Sequence, residues 1–269
     1  MDHLIKFLNK DYVGRFGGGG GDIKDSPKVN PVHDSKIEFN LNKFTFRSKP
    51  LKKFNKNEIN IIYAGCSITY GEGVYEKEMW TTILTNKIQS LNSDKIVNGN
   101  NIAYPGASIK AIIKNLLGAI QITGNPNYIF ISFPPVSRDL FYSKGRGQFI
   151  NCFVHDFIHQ DPLDTSIRYN QNFSYENNLL TATTIIFLLE EFCKSSNIKL
   201  IWGTWDENDN ETFQKINFSN YLKINKKYED NAIKTDSLNW EIGKDGVHPG
   251  AKWHLGLANY IFDSLKNEK

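Results

Sequence analysis

Ile59–Gly71 reads INIIYAGCSITYG. Its first six residues form a short, nearly continuous apolar run that ends at Gly65. Such a run suits a strand buried on both faces, as in a parallel sheet. A glycine that allows a tight bend follows, and then Cys66 and Ser67. A serine just past a buried strand is held rigidly and faces the crevice where α/β sheets bind ligands. Its own backbone N–H can also point at a developing oxyanion. The segment has a plainer reading too, as a simple strand-end turn.

Outward from this run, strand and helix signals alternate. Trp80–Leu91 has a helical spacing of apolar residues, and Ile102–Tyr104 reads as a short second strand ending at Pro105-Gly106. Ser108 is a good N-cap. Ile109, Ile112, Ile113, Leu116, Leu117 and Ile120 then make one apolar helical face, which Gly124 and Pro126 close. Tyr128–Phe133 (YIFISF) and Ile198–Trp202 (IKLIW) read as further buried strands. Leu179–Phe192, Glu211–Lys226 and a last segment from Ala251 to Leu265 read as helices. Strands alternating with helices imply a parallel sheet covered on both sides. With right-handed crossovers this is a three-layer, doubly wound α/β/α sandwich.

The chain has 269 residues, enough for one buried core plus a modest appendage. Residues 1–57 read as an N-terminal extension. Leu4, Phe7 and Leu8 suit a short amphipathic helix, and Gly17–Gly21 breaks regular structure. Such an arm is a flexible tail or a dock for a sister subunit, which would make an oligomer. The core is expected from 58 to 269, with an irregular, aromatic-rich segment at about 141–175 that reads as a functional lid or a small insertion.

A net charge of +3 and a pI near 8.5 do not point to nucleic acid as a partner. The basic group Arg47–Lys56 reads as a solvated segment. Three cysteines, Cys66, Cys152 and Cys193, form no disulfide framework, which favours a reducing compartment. No apolar run reaches the roughly 18–20 residues of a membrane span, and Met1–Tyr12 does not look like a signal peptide. The expectation is a cytoplasmic protein, with a virion-associated one as the alternative. His155 and His159 bracket Asp156, but no third metal ligand is evident, so neither metal nor cofactor is expected.

The second reactive segment is Gly243–Gly250, GKDGVHPG. Asp245 and His248, three residues apart before a helix, can face one cleft. The imidazole can take a serine proton while the carboxylate fixes its tautomer. Here too a plainer reading exists, with Asp245-Gly246 as a turn and His248 as a helix flank.

Together these segments resemble the SGNH (GDSL-like) hydrolases. GCSITYGEGV is similar to the family's first block, Asn101–Ser108 (NIAYPGAS) to its second, and DGVHPGAKWH to its last. The resemblance spans about Asn60 to Leu265 and implies a flavodoxin-like sheet. It implies Ser67 as nucleophile, His248 as general base and Asp245 as its orienting group. The backbone N–H groups of Ser67 and Gly106 are then the oxyanion-hole donors.

Two positions depart from the family pattern. Cys66 stands where an Asp is usual, and it is a competing nucleophile. Val136 in Pro134–Asp139 stands where an Asn donor is usual, and losing such a donor costs about 100- to 1000-fold in turnover. Ser137 or Arg138 is the candidate replacement. Arg138 could also hold a substrate anion or make a structural ion pair with Asp139 or Glu76. Trp202, Trp205 and Asp206 are candidates for the substrate mouth, and His254 for packing behind the site.

The expected activity is a serine esterase that deacetylates a carbohydrate or another small ester. The competing readings are a binding or structural module of a phage or cell-surface assembly, and a sugar O-acyltransferase.

Overall fold

The computed structural model describes residues 28–29, 37–143, 148–153, 174–222, 243–246 and 248–267. It opens on two short antiparallel strands, β1 (Lys28–Val29) and β2 (Glu38–Phe39). The apolar run becomes β3 (Ile59–Gly65), followed by the single-turn helix α1 (Ser67–Tyr70). Then come α2 (Trp80–Ser90), β4 (Val97–Asn101), α3 (Ile109–Thr123) and β5 (Tyr128–Phe133). A hairpin, β6 (Arg138–Ser143) and β7 (Gln148–Phe153), precedes α4 (Tyr175–Ser195). The chain ends through β8 (Lys199–Thr204), α5 (Glu207–Ile216) and α6 (Ala251–Asn267).

The central sheet is parallel, in the order β4-β3-β5-β8. Its first strand in sequence therefore lies inside, flanked by the second and the third. This is the flavodoxin-like order, and its switch point lies between β3 and β5.

Alternation along the strands sorts the core into two layers. Ile62 and Ala64 of β3, Ile129, Ile131 and Phe133 of β5, and Leu200 and Trp202 of β8 face the layer of α3, α4 and α5. Ile61 and Tyr63, Phe130, and Ile201 face the layer of α2 and α6, among Trp80, Leu84, Trp253 and Leu257. Tyr63, fully buried, satisfies its hydroxyl on Thr85 Oγ1 at 2.8 Å. The sheet is thus covered on both sides, which makes the three-layer α/β/α sandwich.

Several elements differ from the sequence expectation. The second strand lies at Val97–Asn101, just upstream of Ile102–Tyr104. Its sequence, VNGNN, hides it, because an edge strand needs little apolar surface. The insertion is not irregular at its start, where the β6–β7 hairpin forms. Helix α5 ends at Ile216, earlier than the expected Lys226. Trp202 is a core residue, not part of a mouth, and its Nε1 donates to buried Glu190 at 2.9 Å. Asp206 is the N-cap of α5, where its side chain accepts from Asp209 N at 3.1 Å.

The packed structure also reaches back past the boundary expected at 57. Ile37, Phe39, Phe44, Phe46 and Leu51 are buried and join the apolar clusters. Expectations for Met1–Tyr12, Gly17–Gly21 and His155–His159 fall outside the described residues.

Candidate active site

β3 delivers Ser67 to the carboxyl edge of the sheet. Gly65 is required at the bend: a Cβ there would run into the Thr69 side chain and lie 2.9 Å from Ser132 O. Cys66 is extended, with φ −99° and ψ −150°, and Ser67 opens α1. Cys66 is fully buried in the α3/α4 layer, whereas Ser67 is 7% exposed. The two side chains therefore part, and the thiol faces the core. Gly71, at φ +86°, closes the turn by donating to Ser67 O.

The loop after Gly71 is held from both sides. Arg47 donates through its two terminal nitrogens to Gly71 O at 2.5 Å and to Val74 O at 3.0 Å. Its guanidinium lies 4.4 Å from the Phe39 ring centroid. Burial lowers the Arg47 pKa to about 10, so it stays charged at neutral pH. Arg47 thus departs from the expectation of a solvated basic segment, while Lys49, Lys52, Lys53 and Lys56 are exposed. Both carbonyls Arg47 meets belong to the distant loop that follows Ser67, so local charge pattern gives no sign of the contact.

Asp245 and His248 approach that loop from the other side. Gly243 N donates to His248 O at 2.6 Å, and Gly246 turns at φ +74°. The Asp245 carboxylate accepts from His248 N at 3.0 Å through Oδ1, and its Oδ2 lies 2.6 Å from Nδ1. A buried carboxylate so placed accepts the Nδ1 proton and fixes the ring tautomer. Lys244 N donates to Gly73 O at 2.8 Å. Gly73 has φ +79°, and a Cβ on it would sit 2.7 Å from Asp245 Oδ1.

Glu72, between the two positive-φ glycines, completes the corner. Its backbone N donates to Ser67 O at 3.1 Å, while its Oε2 lies 3.2 Å from His248 Nε2. One residue thus links the serine's turn to the histidine ring. Among the described residues no hydrogen bond joins Ser67 Oγ to His248; Nε2 faces Glu72. The sequence reading missed Glu72. The signal was its place in the Gly71-Glu72-Gly73 turn, where a side chain is presented on a bend of fixed shape.

Behind this corner His254 of α6 is fully buried, and its Nδ1 accepts from Trp80 N at 3.1 Å. Burial first, then Arg47 and His248, lower its pKa to about 3, so its ring is neutral. It satisfies an amide at the start of α2, whose own N-cap residue supplies no side-chain bond.

On the opposite side of the crevice, Asn101 ties β4 to the serine turn. Its Nδ2 donates to Thr69 O at 2.8 Å, and its Oδ1 accepts from Ala103 N. Gly106, exposed at φ +71°, sits in the turn closed by Ala107 N on Tyr104 O. Val136 is 1% exposed, and its N–H is taken by Asp209 Oδ2 at 2.7 Å. Burial raises the Asp209 pKa to about 6, against the bonds from Val136 N and the Tyr175 hydroxyl. Ser137 lies half-buried in the following turn. Arg138 sits over the Trp205 ring at 5.6 Å, and with Val136 it lines a small cleft that includes the Lys110–Asp139 ion pair.

The structure therefore brings Asp245, His248 and Glu72 together beside the turn that starts at Ser67. It also pairs Arg138 with Trp205. Among the described residues no three His, Cys, Asp or Glu side chains group as a metal site, and no helix is long and apolar enough to cross a membrane.

No protein-family model matches the chain, and no curated protein matches it. Solved structures do resemble it. A catalytic mutant of Axe2, an acetylxylan esterase from Geobacillus stearothermophilus, is 14% identical with a TM-score of 0.48, covering 79% of this chain and 96% of that one. The psychrotrophic esterase EstA from Pseudoalteromonas is 11% identical with a TM-score of 0.47, covering 78% and 98%. A two-domain esterase active on acetylated mannans is 13% identical with a TM-score of 0.46, covering 79% of this chain and 50% of that one.

Proposed function

We propose that the protein is a serine acyl-ester hydrolase, in which Ser67 attacks, His248 is the base and Asp245 orients it. The observation that carries this reading is the Asp245–His248 pair, with Nδ1 2.6 Å from Oδ2, set against the loop that begins at Ser67. In the first step Ser67 Oγ bonds to the acyl carbon as Nε2 takes its proton. The tetrahedral oxyanion then collapses, and Nε2–H returns that proton to the departing alcohol oxygen. Water repeats the sequence and releases the acid. The N–H groups of Ser67 and Gly106 are the oxyanion donors in this reading. Small esters, acetylated carbohydrates among them, are the substrate class. Transfer of the acyl group to a sugar hydroxyl uses the same steps, with the hydroxyl in place of water.

The test is labelling with a fluorophosphonate and hydrolysis of p-nitrophenyl acetate. Label is expected on Ser67, and Ser67→Ala is expected to remove both label and turnover. Normal hydrolysis by the Ala variant would overturn the assignment.

A second reading is favoured by one observation. Where the third oxyanion donor belongs, Val136 offers an apolar side chain and an amide already held by Asp209. A binding or structural module would tolerate that loss. It predicts an unlabelled Ser67 together with measurable glycan binding.

A further inference from the structure

Arg47 belongs to a segment outside the reactive motifs, yet its guanidinium is spent on the loop that follows Ser67. The side chain is buried, and its two terminal nitrogens donate to Gly71 O at 2.5 Å and to Val74 O at 3.0 Å. Its own segment is anchored by other means. Ile37, Phe39, Phe44, Phe46 and Leu51 are buried. Asn42 Oδ1 accepts from the amides of Phe44 and Phe46, and Asn42 Nδ2 donates to Lys49 O. None of these hydrogen bonds uses the guanidinium. The fork of Arg47 therefore serves the loop rather than the segment that carries it.

The loop needs such a hold. Gly71 and Gly73 stand at φ +86° and +79°, and glycine passes readily between both hands of the backbone. The bend is not kept by its own residues. At its near end the amides of Gly71 and Glu72 both donate to Ser67 O, at 2.9 Å and 3.1 Å. At its far side Gly73 packs on the Asp245 carboxylate, where a Cβ would lie 2.7 Å from Oδ1, and Gly73 O accepts from Lys244 N at 2.8 Å. Asp245 in turn holds the backbone N and the ring of His248. This loop is thus the span between Ser67 and the Asp245–His248 pair. The carbonyls that Arg47 holds bracket Glu72 and Gly73, the middle of that span. A planar guanidinium fork fixes the spread of two acceptors, which a point charge does not. Asn101, on Thr69 O at 2.8 Å, holds only the turn before it.

We propose that Arg47 is a positioning residue for the reaction: by clamping Gly71 O and Val74 O it sets where the Asp245–His248 pair stands relative to Ser67. This rests on the serine-hydrolase reading above. It makes the segment around Arg47 a working part of the reactive centre, acting through the loop and not on the substrate.

The experiment follows p-nitrophenyl acetate hydrolysis by the full chain, in the wild type and in Arg47→Met, Arg47→Lys and Leu51→Ala. Turnover is expressed per Ser67 that takes a fluorophosphonate label at completion, which removes the unfolded fraction. A reacting group displaced by about 1 Å costs on the order of 100-fold in rate. Arg47→Met is expected to lower kcat per labelled site by about 10- to 100-fold, with KM changed by less than about twofold, and to slow labelling in parallel. Arg47→Lys keeps the charge without the fork and is expected to fall between Arg47→Met and the wild type. Leu51→Ala removes packing from the same segment. It is expected to lower the melting temperature and to leave kcat per labelled site at the wild-type value. Wild-type kcat per labelled site in Arg47→Met, a loss confined to KM, or an equal loss in Leu51→Ala overturns the proposal. If Arg47→Met does not fold, Arg47→Lys decides on the same terms. If Ser67 takes the label and both Arg47 variants match the wild type per site, the positioning role alone fails. If Ser67 is unlabelled and Ser67→Ala is fully active, the hydrolase reading fails and the positioning role with it.

Discussion

Asp245 uses both carboxylate oxygens on a single residue, the backbone N and the ring Nδ1 of His248. It therefore fixes where the ring starts and which way it points. Asp245→Asn keeps the shape but can present an N–H to Nδ1, which favours the wrong tautomer. The expected outcome is a loss in kcat on the order of 100- to 10 000-fold with little change in melting temperature. Steady-state kinetics with a thermal melt on the same sample checks it. Gly73 shows why the pair is so tightly placed. No Cβ fits between the two loops, so the backbone itself packs on the carboxylate. The motif residues of the proposed triad were legible because Gly-x-Ser and Asp-x-x-His are local patterns. Arg47 and Glu72 were not, because each acts on a partner that only folding brings near.

At the scale of elements, α6 contributes twice. It follows directly from the His248 loop, and through His254 it supplies the bond to the first amide of α2. That second role predicts a pH effect. His254 has a folded pKa of about 3, below the ordinary 6.5, so between these values the unfolded chain binds a proton that the folded one does not. Stability from this group is full above about 6.5 and is lost as pH falls toward 3. At pH 5 the loss amounts to at most about 2 kcal/mol. Asn at this position offers an acceptor and takes up no proton. Urea midpoints at pH 7.5 and 5 are therefore expected to fall further for the wild type than for His254→Asn. Equal falls would show that another group carries the effect. The α3 helix was read correctly from its apolar face and Ser108, whose Oγ accepts from Ala111 N. The β4 strand was misplaced because VNGNN carries no period. Its position comes from pairing with Ile59–Tyr63 and from the Asn101 bond to the serine turn.

For the whole molecule, the decisive feature is that the domain does not begin where its motifs do. Ile37, Phe39, Phe44, Phe46 and Leu51 are all buried. Each such side chain contributes about 1.5–3 kcal/mol on burial, while the net stability of a domain is only about 5–15 kcal/mol. A chain starting at 58 is therefore expected to fail to fold, whereas one starting at 37 keeps these residues. Circular dichroism melts of the two truncations check this. A cooperative melt from the shorter chain, near that of the longer, would refute it. The same segment carries Arg47 to the loop after Ser67, so its loss also removes the clamp on Gly71 and Val74.

By itself the sequence determined the class of fold and marked the residues of the candidate centre. Buried parallel strands must be apolar on both faces, and reactive side chains must stand just beyond their carboxyl ends, so both leave marks in short runs of residues. The tertiary structure alone decided what surrounds that centre: Cys66 turned into the core, Arg47 clamping the loop, Asp209 holding the Val136 amide, and Glu72 set against Nε2. Each of these is a contact between segments far apart in the chain. Its geometry is fixed by packing, which no local pattern of residues records.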